Sequence, residues 1–150
     1  MKVLMINGSP RTNGNIAVAF EEMTGVFEKE GIEVELYQIG KKDIRGCIAC
    51  ETCRKTGKCV FDDIVNELAV KFKEADGLVI GSPVYYGSAN GTLMSALQRL
   101  FYSTHFDKSF KVGLNLIIAP CDLPIQFACI ILTLSPQPGS LSKSSNNTSA

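Results

Sequence analysis

The sequence predicts an α/β fold, a doubly wound parallel sheet with helices on both faces. Three observations carry this. Short apolar runs alternate with stretches of helical periodicity, which is the pattern of a parallel sheet. A small polar loop, Gly8 to Asn15 (GSPRTNGN), stands between the run Val3–Ile6 and a helical segment. A second polar loop, Ser82 to Ser88, follows another apolar run, Gly77–Gly81. In such sheets ligands bind beyond the carboxyl ends of the strands, so the two loops should meet over one crevice.

The elements follow in order. After the first loop, Ile16, Ala19, Phe20, Met23 and Phe27 recur at helical spacing, and Gly31 stands where a C-terminal cap belongs. Ile32 to Tyr37 alternates strictly, with Ile32, Val34 and Leu36 on one face, which predicts a strand near a sheet edge. A cysteine-rich connection runs from Gly40 to Val60, its core an insertion at 46–60. Asp62 is placed to cap a second helix carrying Ile64, Val65, Leu68, Ala69 and Phe72. Leu93, Met94, Leu97, Leu100 and Phe101 mark a third helix, Lys111–Ala119 a further strand, and Phe127–Leu134 a last one. Residues 1–134 should form one domain. Residues 135–150, rich in Ser, Pro, Asn and Gly, should be a disordered tail.

Composition narrows the function. Fifteen basic residues balance fifteen acidic ones among 150, which argues against a nucleic-acid or acidic-membrane partner. The apolar region Val112–Leu134 contains Asn115, Asp122 and Gln126 with Pro120 and Pro124, a poor membrane span. The first apolar run is too short for a signal peptide, and six cysteines then point to a reducing, cytoplasmic setting with metal or redox roles.

The first loop reads as a phosphate cradle. Unpaired N–H groups and the helix N-terminus favour an anion, Ser9, Thr12, Asn13 and Asn15 add donors, and Gly8 and Gly14 allow close approach. It lacks the lysine of a Walker A loop and the glycine triplet of a dinucleotide fingerprint, so a single monophosphate suits it best. An ordinary strand-to-helix turn would use similar residues. Tyr85 and Tyr86 beside Gly87 could face a flat heterocycle or merely pack on neighbours.

Taken together, GSPRTNGN and GSPVYYGSANGTLMSALQR resemble the flavodoxin-like NADPH-dependent FMN reductase family over about residues 1–112. The resemblance implies sheet order 2-1-3-4-5 and bound FMN. Ser9, Arg11, Asn13, Gly14 and Asn15 would hold the phosphate, and Pro83, Val84, Tyr85, Tyr86 and Gly87 would border the isoalloxazine ring. Ile16 departs from the family, which places a hydroxyl residue there. Cys47, Cys50, Cys53 and Cys59 form C-x2-C-x2-C-x5-C, the compact motif of the family's iron-sulfur flavoprotein branch, and would ligate a [4Fe–4S] cluster. Zinc, or an empty or redox-active thiol set, are the rivals. Cys121 and Cys129 should pack as small hydrophobes, and His105 should be a surface or core residue.

The resemblance fades after Val112. No closing helix is visible, so the C-terminal part is expected to be truncated or altered, one sheet face bare, and the stable form a homo-oligomer. Three functions stand side by side. One is an FMN enzyme using NAD(P)H, with or without a cluster. Another is an electron carrier exchanging with ferredoxin through the cluster. The third is a non-catalytic fold with structural zinc or empty cysteines.

Overall fold

A computed structural model describes residues 1–107, and the backbone of two further strands at 117–120 and 129–134. The sheet begins with β1 (Lys2–Asn7), flanked by β2 (Glu33–Gln38) on one side and β3 (Gly77–Tyr85) on the other, both parallel to it. Helix α1 (Asn15–Lys29) links β1 to β2. The cysteine segment contains the short helix α2 (Thr52–Thr56), and α3 (Ile64–Glu74) then leads into β3. A two-residue strand β4 (Ser88–Ala89) folds back on the end of β3, and α4 (Gly91–Thr104) follows. Strands β5 (Ile117–Pro120) and β6 (Cys129–Leu134) complete the sheet, in the order β2-β1-β3-β6-β5.

Alternation along β1 divides the core. Val3 and Met5 face α1, where they meet Ile16, Phe20 and Val79. Leu4 and Ile6 face α3 and α4, packing with Leu78, Ile80, Val65, Leu68, Phe72, Leu93 and Leu100. Continuous apolar strands are the expected consequence of burial on both faces. Gly81 is required by this packing, because a Cβ there would lie 2.6 Å from Ile16 Cγ2 and 2.7 Å from the Phe20 ring. Gly31, at φ 69°, ends α1 as its sequence position indicates.

Several expectations are corrected. The order 2-1-3-4-5 with all strands parallel holds for its first three seats. Beyond β3 the sheet is mixed: β6 is antiparallel to β3, and β5 is antiparallel to β6. Residues 121–128 are too few for the crossover of a dozen or more residues that a parallel pair requires, so β5 and β6 pair as antiparallel neighbours. Because both pairings reverse direction, β5 still runs parallel to β3 across α4. The flavodoxin-like α/β class therefore stands, with an altered C-terminal edge. Leu36 is more than half exposed, in an open groove shared with α1 residues Ala17, Phe20, Glu21, Thr24, Gly25 and Glu28. The capping residue of α3 is Asp63, not Asp62: its carboxylate accepts from the Val65 N–H at 3.0 Å. The side chains of Cys121 and Cys129, the tail 135–150 and the expected bare sheet face lie outside what the structure describes. No helix among the described residues is long and apolar enough to cross a membrane.

Candidate functional site

The register of β1 on β3 sets Asn7 opposite Gly81, and the Gly8 N–H donates to the Gly81 carbonyl at 2.8 Å. The first loop thus leaves the sheet beside Ser82 and Pro83, and both predicted loops occupy the same end of the sheet. Gly8 lies so close to α4 that a Cβ would stand 2.6 Å from Leu93 Cδ2. The loop is shaped by its own polar groups. Asn7 Oδ1 accepts from the Ser9 N–H at 2.9 Å, Ser9 Oγ accepts from the Arg11 N–H at 3.1 Å, and Gln38 Nε2 donates to the Ser9 carbonyl at 2.6 Å.

These bonds leave the next turn open. Gly14 is the N-cap of α1 and offers no side-chain cap, and among the described residues no protein acceptor meets the N–H groups of Thr12, Asn13, Gly14, Asn15 or Ile16. Orphan donors at a helix start are an anion site in waiting. Ser9 is buried at the base, while Arg11, Asn13 and Asn15 are exposed around it. Ile16 is turned into the core against Phe20 and Gly81, so its missing hydroxyl is replaced by packing between α1 and the sheet.

The second loop is a hairpin. β3 continues through Pro83 and Val84 to Tyr85, which pairs with Ser88, and Tyr86-Gly87 make the turn. Both turn residues have positive φ, 50° and 75°, as two-residue hairpins demand, but the first seat ordinarily goes to Asn, Asp or Gly. Tyr86 is fully exposed there, and Tyr85 is half exposed. Ser82 Oγ braces the hairpin by accepting from the Asn90 N–H at 2.9 Å, and Asn90 caps α4 through the Thr92 N–H.

The cysteines form a second cluster. Cys47, Cys50, Cys53 and Cys59 line one small, partly open cavity of about 20 Å³, together with Ile48, Phe61, Arg99 and Tyr102. Cys47 and Cys50 are exposed, Cys59 is half-buried and Cys53 is buried. Ala49 and Glu51, on either side of Cys50, have φ of 54° and 56°, an unusual conformation for non-glycine residues that turns the chain around the thiol. Burial, and then the neighbouring Cys59, Cys50 and Cys47, push the Cys53 thiol up. Side-chain and backbone hydrogen bonds with Thr52 hold the Cys50 thiol below the usual range. Among the described residues, no three thiols, imidazoles or carboxylates already stand at metal-ligating positions.

Three residues that gave no local signal organise this cluster. Asn66 clamps Cys59, accepting from its N–H at 2.9 Å and donating to its carbonyl at 3.1 Å. Arg99, only 1% exposed, donates from Nε to Cys59 Sγ at 3.2 Å and makes a two-pronged ion pair with Asp63. Burial pushes the Asp63 carboxyl up, but the Arg99 guanidinium and the Val65 N–H outweigh it and hold it below the usual range. His105 is exposed and edge-on to Phe106, away from the cavity lining.

The family model for NADPH-dependent FMN reductases matches residues 1–119. An iron-sulfur flavoprotein of Methanocaldococcus jannaschii is 41% identical over 99 residues, 66% of this chain and 51% of the relative. One from Methanosarcina thermophila is 32% identical over 120 residues, 79% of this chain and 63% of the relative. An FMN-dependent NADPH-azoreductase of Staphylococcus saprophyticus is 29% identical over 100 residues, 67% and 52% of the two chains. The chain spans about half the length of most of the curated relatives it matches. On the match over residues 1–119 and these relatives, the chain belongs to the NADPH-dependent FMN reductase family, in its iron-sulfur flavoprotein branch.

Proposed function

We propose that this chain is an FMN-dependent oxidoreductase that passes electrons between NAD(P)H or a ferredoxin-type protein and an acceptor, through a [4Fe–4S] cluster held by Cys47, Cys50, Cys53 and Cys59. The observation that carries it is the convergence of these four thiols on one cavity in a chain that also has an open phosphate cradle. The donor set fits a cluster in number and softness, and the open N–H groups of residues 12–16 fit a phosphate. When bound, a flavin exchanges electrons in pairs or singly and a cluster exchanges them singly, so the pair makes a two-to-one converter.

The chain's own residues bind and orient. Ser9, Arg11, Asn13, Gly14 and Asn15 would receive the phosphate, with Arg11 as the only full positive charge among them. Pro83 to Gly87 would border the flavin ring, with Tyr85 and Tyr86 offering aromatic faces that also exclude water. Asn66 and Arg99 fix Cys59, whatever the other three thiols do. Along the segment 41–62 that carries the thiols, the exposed basic residues Lys41, Lys42, Arg45, Arg54, Lys55 and Lys58 outnumber the exposed acidic residues Asp43, Glu51 and Asp62. In a chain of zero net charge this local field suits an acidic one-electron protein donor, and its free thiols suit the cytoplasm.

A second reading, an NAD(P)H-dependent FMN reductase without the cluster, is favoured by the absence of ready-made ligating geometry among the described cysteines. Anaerobic reduction of the FMN-loaded protein separates the donors. Stoichiometric bleaching of flavin absorbance by NADPH or NADH supports the reductase reading. Bleaching only by a reduced ferredoxin, at a rate that falls steeply with salt, supports the carrier reading. A protein that takes up no FMN contradicts both.

A further inference from the structure

Arg99 joins the cysteine segment to α3 and also turns one donor onto a cysteine sulfur. All five of its N–H donors are engaged: Nε with Cys59 Sγ, Nη1 with the Arg45 carbonyl at 3.3 Å and Asp63 at 2.6 Å, and Nη2 with the Phe61 carbonyl at 3.4 Å and Asp63 at 2.8 Å. Its guanidinium lies 4.9 Å from the Phe61 ring centroid, and Arg45 lies 4.9 Å from the same ring. Every partner except Asp63 belongs to the segment 45–61, so this one side chain from α4 ties both ends of the cysteine loop to the N-terminus of α3. A neutral thiol is a weak acceptor, whereas a metal-bound thiolate is a strong one for a charge-assisted N–H. A buried guanidinium that turns its most rigid donor onto sulfur is matched to the second kind of partner.

We infer that Arg99 is a positioning residue of the cluster: it fixes Cys59 for ligation and, through its Nε–H, raises the cluster's reduction potential. The inference rests on the cluster reading above. Hydrogen bonds to the sulfurs and net charge around the cluster are among the levers that set such potentials. Asn66 holds only the backbone of Cys59, so the two residues divide the work: Asn66 sets where the sulfur is, and Arg99 sets its electronic surroundings.

The test compares wild type with R99K and with the double variant R99Q/D63N, which removes both charges of the pair and so leaves no unpaired charge. After iron and sulfide assay and circular dichroism, the cluster midpoint is read by an EPR-monitored redox titration, with the flavin midpoint as internal reference. The double variant is expected to shift the reduced-to-oxidised cluster ratio at fixed potential downward by about tenfold, equal to 59 mV for a one-electron couple. R99K should recover part of the shift, and the flavin midpoint should not move. A folded, iron-loaded double variant with the wild-type cluster potential overturns the inference while leaving the cluster reading intact. An iron-free wild type removes the cluster reading itself. If neither variant folds, wild type labelled with ¹⁵N-arginine decides. Nitrogen coupling to the reduced cluster in pulsed EPR supports the Nε–H···S bond, and its absence overturns it.

Discussion

Asp63 and Arg99 meet in a two-pronged ion pair, at 2.6 and 2.8 Å, and Asp63 at the same time caps α3. One carboxylate therefore joins the start of α3, the middle of α4 and, through the guanidinium, the cysteine loop. Asp63→Asn leaves a nearly fully buried cation without its counter-charge. The expected loss of stability is ~3–5 kcal/mol, read by urea unfolding of the metal-free protein. Asp63→Ala should lose a further ~1 kcal/mol through the missing cap.

Stability should fall in acid through Glu35. Lys2 first, and then Lys71, hold its carboxyl below the usual carboxylate range, despite partial burial. A depressed folded-state pKa stabilises above the unfolded value of about 4.3, and that contribution disappears as pH drops through the lower folded value. Wild type should therefore lose more stability than Glu35→Gln on acidification from about pH 5 downward. Unfolding curves at several pH values would show the two converging. Parallel curves would mean that Glu35 is not the titrating group.

Gly8→Ala should weaken FMN binding more than it weakens the fold. Its Cβ would be 2.6 Å from Leu93 Cδ2 and 2.9 Å from Leu93 Cβ, and the latter cannot rotate away. The loop must then lift from α4, misplacing its N–H groups. A tenfold or greater rise in the FMN Kd, about 1.4 kcal/mol, is expected in a fluorescence titration. Gly81→Ala, which collides with Ile16 and Phe20 on the other face, should instead cost ~1–3 kcal/mol of stability.

Tyr86→Asn should separate folding from binding. Asn tolerates the left-handed turn seat, so the hairpin should be stabilised by up to ~1 kcal/mol. Loss of the ring should weaken FMN binding if the tyrosine borders the flavin. A variant that is both more stable and equally tight for FMN would remove Tyr86 from the site.

Local signals made most of the frame legible. The spacing of Ile16, Phe20, Met23 and Phe27, the cap at Gly31 and the continuous run Gly77–Gly81 all formed the elements they predict. What escaped was non-local. Arg99 stands 36 residues from Asp63 and 40 from Cys59, and nothing in its own helical turn marks it as other than a surface cation. Asp62 and Asp63 are indistinguishable as caps until the helix start is known to be Ile64. The hairpin at Tyr86-Gly87 was hidden because tyrosine is an unusual first turn residue, so the segment read as open loop. The antiparallel seat of β6 depended on the shortness of 121–128, a constraint that acts only once both flanking strands are placed.

The most direct test of the two-cofactor account is a visible spectrum of protein purified without oxygen, with iron and acid-labile sulfide assayed on the same sample, for wild type and Cys50→Ala. The account predicts a flavin band on broad brown absorption and about four irons per chain in wild type, with the iron lost and the flavin retained in the variant. A flavin spectrum without iron in wild type, or iron unchanged by the Cys50 substitution, would contradict it.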